Sequence, residues 1–295
     1  ELMDESMKAS ERGAAVFPQV AARPFGILVG LQTFHPFQKK PTFDRLMREC
    51  SYDEVVAQLR EPATQAALLA EEDLPVDPAK LFDGVYKLTQ GLPDKIFRLG
   101  SPPDYEPTPD RSVAALAEAN DKTVDEMWLE LLLEDDGQNM LMFPMLNYSY
   151  GNADALREML THPAGVAGLS DGGAHCGMIC DASMPTYLLT HWSRDRTRGE
   201  KLPLEWVVKK QANDTAQLYG LTDRGTIEVG KKADINVIDY DRLTLQSPKL
   251  VHDLPAGGRR LIQNADGYTH TIVSGVETRT NGVDTGARPG RLVRG

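Results

Sequence analysis

The stretch Gly165-Val166-Ala167-Gly168-Leu169-Ser170-Asp171-Gly172-Gly173-Ala174-His175 constrains this chain more than any other. A short apolar run climbs to Ser-Asp, two glycines break it, and a histidine follows four positions after the aspartate. A brief apolar run bounded by turn residues suits a buried strand of a parallel sheet. Asp171 then stands where the strand ends, and in barrels and open α/β sheets that end carries the chemistry. Gly172 and Gly173 allow a sharp turn or a close approach to a bound group. The plainer reading is that Asp171 closes the strand as an Asx-turn residue.

The surrounding text reads as alternating helix and strand. Residues 1–12 predict a helix stopped by Gly13, and residues 14–20 a strand leading to Arg23. His35 stands between aromatics in a loop, as a packed residue or a pocket-lining one. Residues 42–60 and 62–72 predict helices. Residues 74–109 are irregular and proline-rich, which predicts a lid or insertion. Ser112 and Thr123 start two helices within 112–134, the second with a Thr123/Glu126 capping box. Residues 139–146 form a strand ending in Asn147-Tyr148, and Asn152 caps a helix to Leu160. With the strand of the opening stretch this is a βαβ unit. It predicts that Asn147, Tyr148, Asp171 and His175 share one end of a sheet. Helices follow near 184–193 and 203–220.

The texture changes at Thr222. Residues 224–239 predict strand, turn, strand, and Asn281-Gly282 is a hairpin signal. The chain therefore divides into an α/β region, 1–221, and a small all-β region with its tail, 222–295.

Composition closes off other classes. Hydrophobic residues make up 41% and charged ones 25% of the 295 residues, as in globular proteins. No apolar run approaches the ~18–20 residues of a membrane span. A net charge of −11 argues against nucleic acid or an anionic membrane as partner. Cys50, Cys176 and Cys180 are too few for a disulfide framework, which predicts a cytoplasmic protein. Cys176 and Cys180, spaced C-x3-C with no second pair, fit no structural zinc pattern well.

Gly168-Leu169-Ser170-Asp171-Gly172-Gly173-Ala174-His175, the helix end Tyr219-Gly220-Leu221 and Val229-Gly230-Lys231-Lys232-Ala233-Asp234 together resemble the amidohydrolase superfamily. Within it the chain is most similar to the D-aminoacylase (N-acyl-D-amino-acid deacylase) branch. Val273-Ser274-Gly275-Val276 and Thr285 to Arg291 carry the same likeness. The resemblance covers most of 15–35 and 112–295 and is weak over 40–110. It implies an α/β fold: the C-terminal part of a TIM-like (β/α)8 barrel followed by a small β-sandwich. It also implies one or two divalent metals, usually zinc, that lower the pKa of a bound water. Asp171 matches the aspartate that takes the water's proton, with at most a weak metal contact. His175 matches a nearby histidine suited to the oxyanion or the substrate. Asn147, Tyr148, Arg23 and His35 are the further candidates for binding substrate. A substrate carboxylate calls for an arginine, Arg23 or else Arg259 or Arg260.

The family's His-x-His is absent, and His35, His162, His191, His252 and His270 match no ligand motif. The chain opens at Glu1 as if inside a helix. The expectation is therefore a C-terminal half, inactive alone, whose metal ligands lie in an N-terminal half that serves as its partner. The other expected partner is a small-molecule amide, and self-association into a homo-oligomer is left open. The leading function is deacylation of an N-acyl-D-amino acid. A hydantoinase-like or deaminase-like amidohydrolase is the alternative, or a non-catalytic protein of this fold without metal ligands.

Overall fold

The computed structural model describes residues 1–77, 79–168, 170 and 175–293. The chain starts with helix α1 (Leu2–Glu11), stopped at Gly13 with φ +95°, and strand β1 (Gln19–Val20). Strand β2 (Phe25–Val29) follows. Helices α2 (Pro41–Glu49), α3 (Tyr52–Arg60) and α4 (Pro62–Ala70) come next. The single helix expected over 42–60 is thus two. Ser51 breaks it and caps the second half, in a capping box with Glu54.

The stretch 74–109, read as an irregular insertion, contains helix α5 (Leu81–Gly91) and strand β3 (Phe97–Arg98). Its prolines fall outside both elements. Helices α6 (Val113–Ala119) and α7 (Val124–Leu133) are capped by Ser112 and Thr123 as predicted. Strand β4 (Leu141–Leu146), helix α8 (Asp154–Thr161) and strand β5 (Val166–Ala167) complete the segment read as βαβ.

Those two strands do not pair with each other. Strand β4 lies antiparallel between β2 and β3, while β5 pairs in parallel with β1. Strand β2 buries both faces. Ile27 and Val29 enter a core with Phe37, Val55, Trp128 and Leu132, and Leu28 enters a second core with Met142, Leu160, Trp192 and Val207. Alternation along one strand thus divides two helical layers. Gly26 permits the pairing, because a Cβ there would run into the Phe143 carbonyl. The sheets among the described residues are separate two- to four-stranded pieces, so the architecture is mixed α/β without a closed barrel in that set.

Helix α9 (Met184–Thr190) runs into one turn of π-helix, His191–Asp195. Helices α10 (Leu204–Gln211) and α11 (Asn213–Leu218) divide at Ala212 the helix expected over 203–220. The all-β region holds β6 (Ile235–Ile238), β7 (Thr244–Leu245), β8 (Lys249–Leu254), β9 (Gly258–Ile262), β10 (Ala265–Asp266), β11 (Tyr268–Val273), β12 (Val276–Thr280) and β13 (Val283–Asp284). Strands β13, β12, β11 and β6 form one antiparallel sheet, β8 and β9 a hairpin, and β7 and β10 a pair. The turns at Ser274-Gly275 and Asn281-Gly282 have positive φ at both residues, as two-residue hairpin turns require. The strand expected over 224–229 does not form. Ile227 and Val229 project into solvent, where no neighbour rewards pairing.

Candidate active site

Strands β1 and β5 are parallel, so the chain leaves both at the same end. There Gly168 N–H donates to the Val20 carbonyl at 3.0 Å. Asp171, the residue expected to carry the chemistry, lies outside the described residues. His175 is exposed, with φ +52°. From there the chain forms a strap along β2: Met178 N–H donates to the His175 carbonyl, and the Met178 carbonyl accepts from Leu28 N–H, both at 2.8 Å.

The strap ends on Arg23. This arginine is 1% exposed. Its Nη2 donates to the Cys180 carbonyl at 2.8 Å and pairs with Asp181 Oδ1 at 3.0 Å. Its guanidinium carbon lies 3.6 Å from the centre of the Tyr105 ring. A charge this enclosed and already met by a carboxylate has no face left for a substrate carboxylate, so Arg23 holds the strap in place.

His35 is equally enclosed. Its Nδ1 accepts from Phe37 N–H at 3.2 Å, and its ring packs edge-on against Phe43. Burial pushes its pKa down to about 3, so the imidazole is neutral. It is a packed loop residue. Tyr148 is buried as well, its hydroxyl donating to the Pro107 carbonyl and accepting from Arg198 Nη1. Asn147 beside it is half-buried with φ +64°.

The expected convergence of Asn147 and Tyr148 with His175 does not occur. Strand β4 is antiparallel to β2, with Leu146 opposite Phe25 and Leu141 opposite Val29. Asn147 and Tyr148 therefore leave beside the start of β2. The turn at 175–178 sits beside its later half, where Arg259 Nη1 donates to the Gln32 carbonyl at 2.6 Å.

A second polar assembly had no motif to announce it. Glu106 is 2% exposed. Its Oε1 accepts from Ala153 N–H at 2.9 Å and from Arg196 Nη2 at 3.1 Å. Its Oε2 accepts from Arg196 Nε at 3.1 Å and from His191 Nε2 at 2.9 Å. Burial pushes the carboxyl up, but the bonds from His191, Arg196 and Ala153 outweigh it and bring the pKa to about 2. An ionised carboxylate only accepts, so His191 Nε2 donates to it. Tyr187 stacks on His191, ring centres 4.5 Å apart. Both line a cavity of about 420 Å³ with Tyr105, Glu106 and Arg198. The only sequence trace of this assembly is the i, i+4 spacing of Tyr187 and His191 before a run of arginines. Glu106 sits in a proline-rich segment with no periodicity.

The amidohydrolase family model matches residues 2–279. The chain belongs to the amidohydrolase family. No curated protein matches it. Among solved structures it is similar to a D-aminoacylase variant in complex with copper chloride, at 20% identity and a TM-score of 0.37, covering 82% of this chain and 46% of that one. It is similar too to a D-aminoacylase described as defining a novel subset of amidohydrolases, at 21% identity and TM-score 0.35, covering 80% and 44%. A D-aminoacylase structure concerned with its binuclear metal centre gives the same values. The chain spans less than half the length of these structures, and scores this low carry no argument about substrate.

An amidohydrolase of the expected kind holds divalent metal. Among the described residues no group of three His, Cys, Asp or Glu side chains is arranged to hold one. Those residues do not by themselves make a metal centre. Cys50, Cys176 and Cys180 are free thiols. Among the described residues no helix is long and apolar enough to cross a membrane.

Proposed function

We propose that the protein hydrolyses a non-peptide C–N amide bond and that its substrate is an N-acyl-D-amino acid. The observation that carries this reading is the amidohydrolase match over residues 2–279. The Ser170-Asp171-Gly172-Gly173 sequence directly after β5 supports it. In the proposed reaction Asp171 is the general base. It takes a proton from the attacking water as the water oxygen bonds to the acyl carbon. The C–N bond then breaks, the nitrogen leaves with a proton, and a carboxylate and a free D-amino acid result. His175 is proposed at the same site as a partner of the developing oxyanion or the substrate. Zinc, one or two ions, belongs to the proposal, with its ligands outside the described residues. So does a cytoplasmic location, which the three free thiols support.

The test uses the full-length gene product. Metal analysis is expected to find zinc. Asp171→Asn is expected to lower amide hydrolysis by about 10²–10⁴-fold, the usual contribution of a positioned base. Absence of metal together with undiminished turnover in Asp171→Asn would sink the reading. Opening of a cyclic amide, or ammonia release with no action on linear N-acyl-D-amino acids, would move the protein to another branch.

A further inference from the structure

Three arginines stood as candidates for a substrate carboxylate, and their surroundings separate them. Arg23 is enclosed and met by Asp181. Arg260 is engaged by both oxygens of Asp253, Nε to Oδ1 at 2.8 Å and Nη2 to Oδ2 at 2.7 Å. Arg259 is exposed, and its only hydrogen bond among the described residues is to the neutral Gln32 carbonyl.

Its position is built rather than incidental. Strand β9 is attached to the turn that follows the Ser-Asp-Gly-Gly-Ala-His sequence, because Leu261 N–H donates to the Cys176 carbonyl at 2.6 Å. Residues two apart on a strand share a face. Leu261 is buried, so Arg259 lies on the face of β9 that meets the α/β region. Its Nε is 3.8 Å from the place a Cβ would occupy on Gly177, so the guanidinium sits directly over that turn. Nη1 is held at Gln32, three residues beyond the end of β2. One of five N–H donors is thereby committed, and the rest of the fork stays available in a fixed orientation. A guanidinium that is held at one corner and has no counter-ion among the described residues suits a carboxylate taken through two N–H groups.

We infer that Arg259 binds the carboxylate of the substrate, from the all-β region, over the turn 175–178 that carries His175 and Gly177. This rests on the deacylase reading above. It makes the all-β region a contributor to specificity.

The experiment compares, with the full-length protein, an N-acetyl-D-amino acid and the same compound with its carboxylate converted to a carboxamide. The wild type is expected to favour the free acid. Arg259→Ala is expected to raise KM for the acid about 10- to 100-fold, the range for loss of a charge-assisted pair. Turnover of the carboxamide should stay as in the wild type, which shows that the variant is folded. Arg259→Lys should recover part of the loss, and Arg260→Ala should keep the acid-to-amide ratio. An unchanged ratio in Arg259→Ala, or an equal fall on both substrates, overturns the assignment and leaves the deacylase reading intact. Cleavage of neither compound by the wild type overturns the deacylase reading and this inference with it.

Discussion

Acid–arginine pairs occur in the open in both the α/β region and the all-β region, but among the described residues only the α/β region encloses any of them. Glu106 and Arg196 are almost wholly enclosed, and every oxygen of the carboxylate is engaged by two donors. Asp253 with Arg260, and Asp284 with Arg288, show equally good geometry in the open. Water already solvates the exposed pairs, so little is gained when they meet. The enclosed group has no such alternative. Removing one member leaves the other buried without its principal counter-charge. Good geometry alone therefore does not identify a pair that matters, whereas enclosure with complete satisfaction does.

The largest test of that contrast is Glu106→Ala. Chemical denaturation of the full-length protein is expected to show a loss of about 3–5 kcal/mol, because Arg196 is left buried with the exposed Asp154 as its one remaining carboxylate partner among the described residues and the Glu200 carbonyl as its other acceptor. A loss no larger than at an exposed site would remove the distinction between the two regions.

Gly267→Ala comes next and probes what the all-β region does depend on. Gly267 has φ +102°, and a Cβ there would stand 2.6 Å from the Leu243 Cα, a backbone atom that cannot swing aside. A cost of about 1–3 kcal/mol is expected from the strained conformation, read by the same denaturation. Tolerance of alanine would mean that the turns of this region are softer than its charges.

Acidification sharpens the comparison further. The folded pKa of His35 is about 3, below its ordinary value. The fold therefore favours the neutral ring, and the stability this confers is full above about pH 6.5 and is lost as pH falls toward 3. The Glu106 pKa of about 2 is also depressed, so its contribution is present above about pH 4.5 and lost as pH falls toward 2. Unfolding free energies measured across this range should fall steadily, and His35→Leu should flatten the upper part of the slope. An unchanged slope in that variant would place the acid sensitivity elsewhere. The smallest effect is expected for Asp253→Ala and Asp284→Ala, whose unfolding midpoints should match the wild type.

What could be read in the chain beforehand was what is decided locally. Thr123 with Glu126, and the turn at Asn281-Gly282, depend on neighbours a few residues away. Strand β4 was recognisable as a strand, but its partners β2 and β3 are set by contacts from distant segments. Assuming the nearest strand as partner produced a βαβ unit that the chain does not form. Tyr148 and Arg23 were visible as residues of interest. Their engagement by Pro107, Arg198 and Asp181 was not, since no spacing encodes it. Glu106 was invisible for the same reason.

The bond from Leu261 N–H to the Cys176 carbonyl has a consequence for how such proteins diversify. It ties the β8–β9 hairpin to the turn after the Ser-Asp-Gly-Gly-Ala-His sequence through main-chain atoms, which of all substitutions at Leu261 only proline removes outright. A recombinant that exchanges the all-β region between two relatives would import a new tether along with the new surface. Grafting this region onto another fold thus changes the surroundings of that turn as much as the covering.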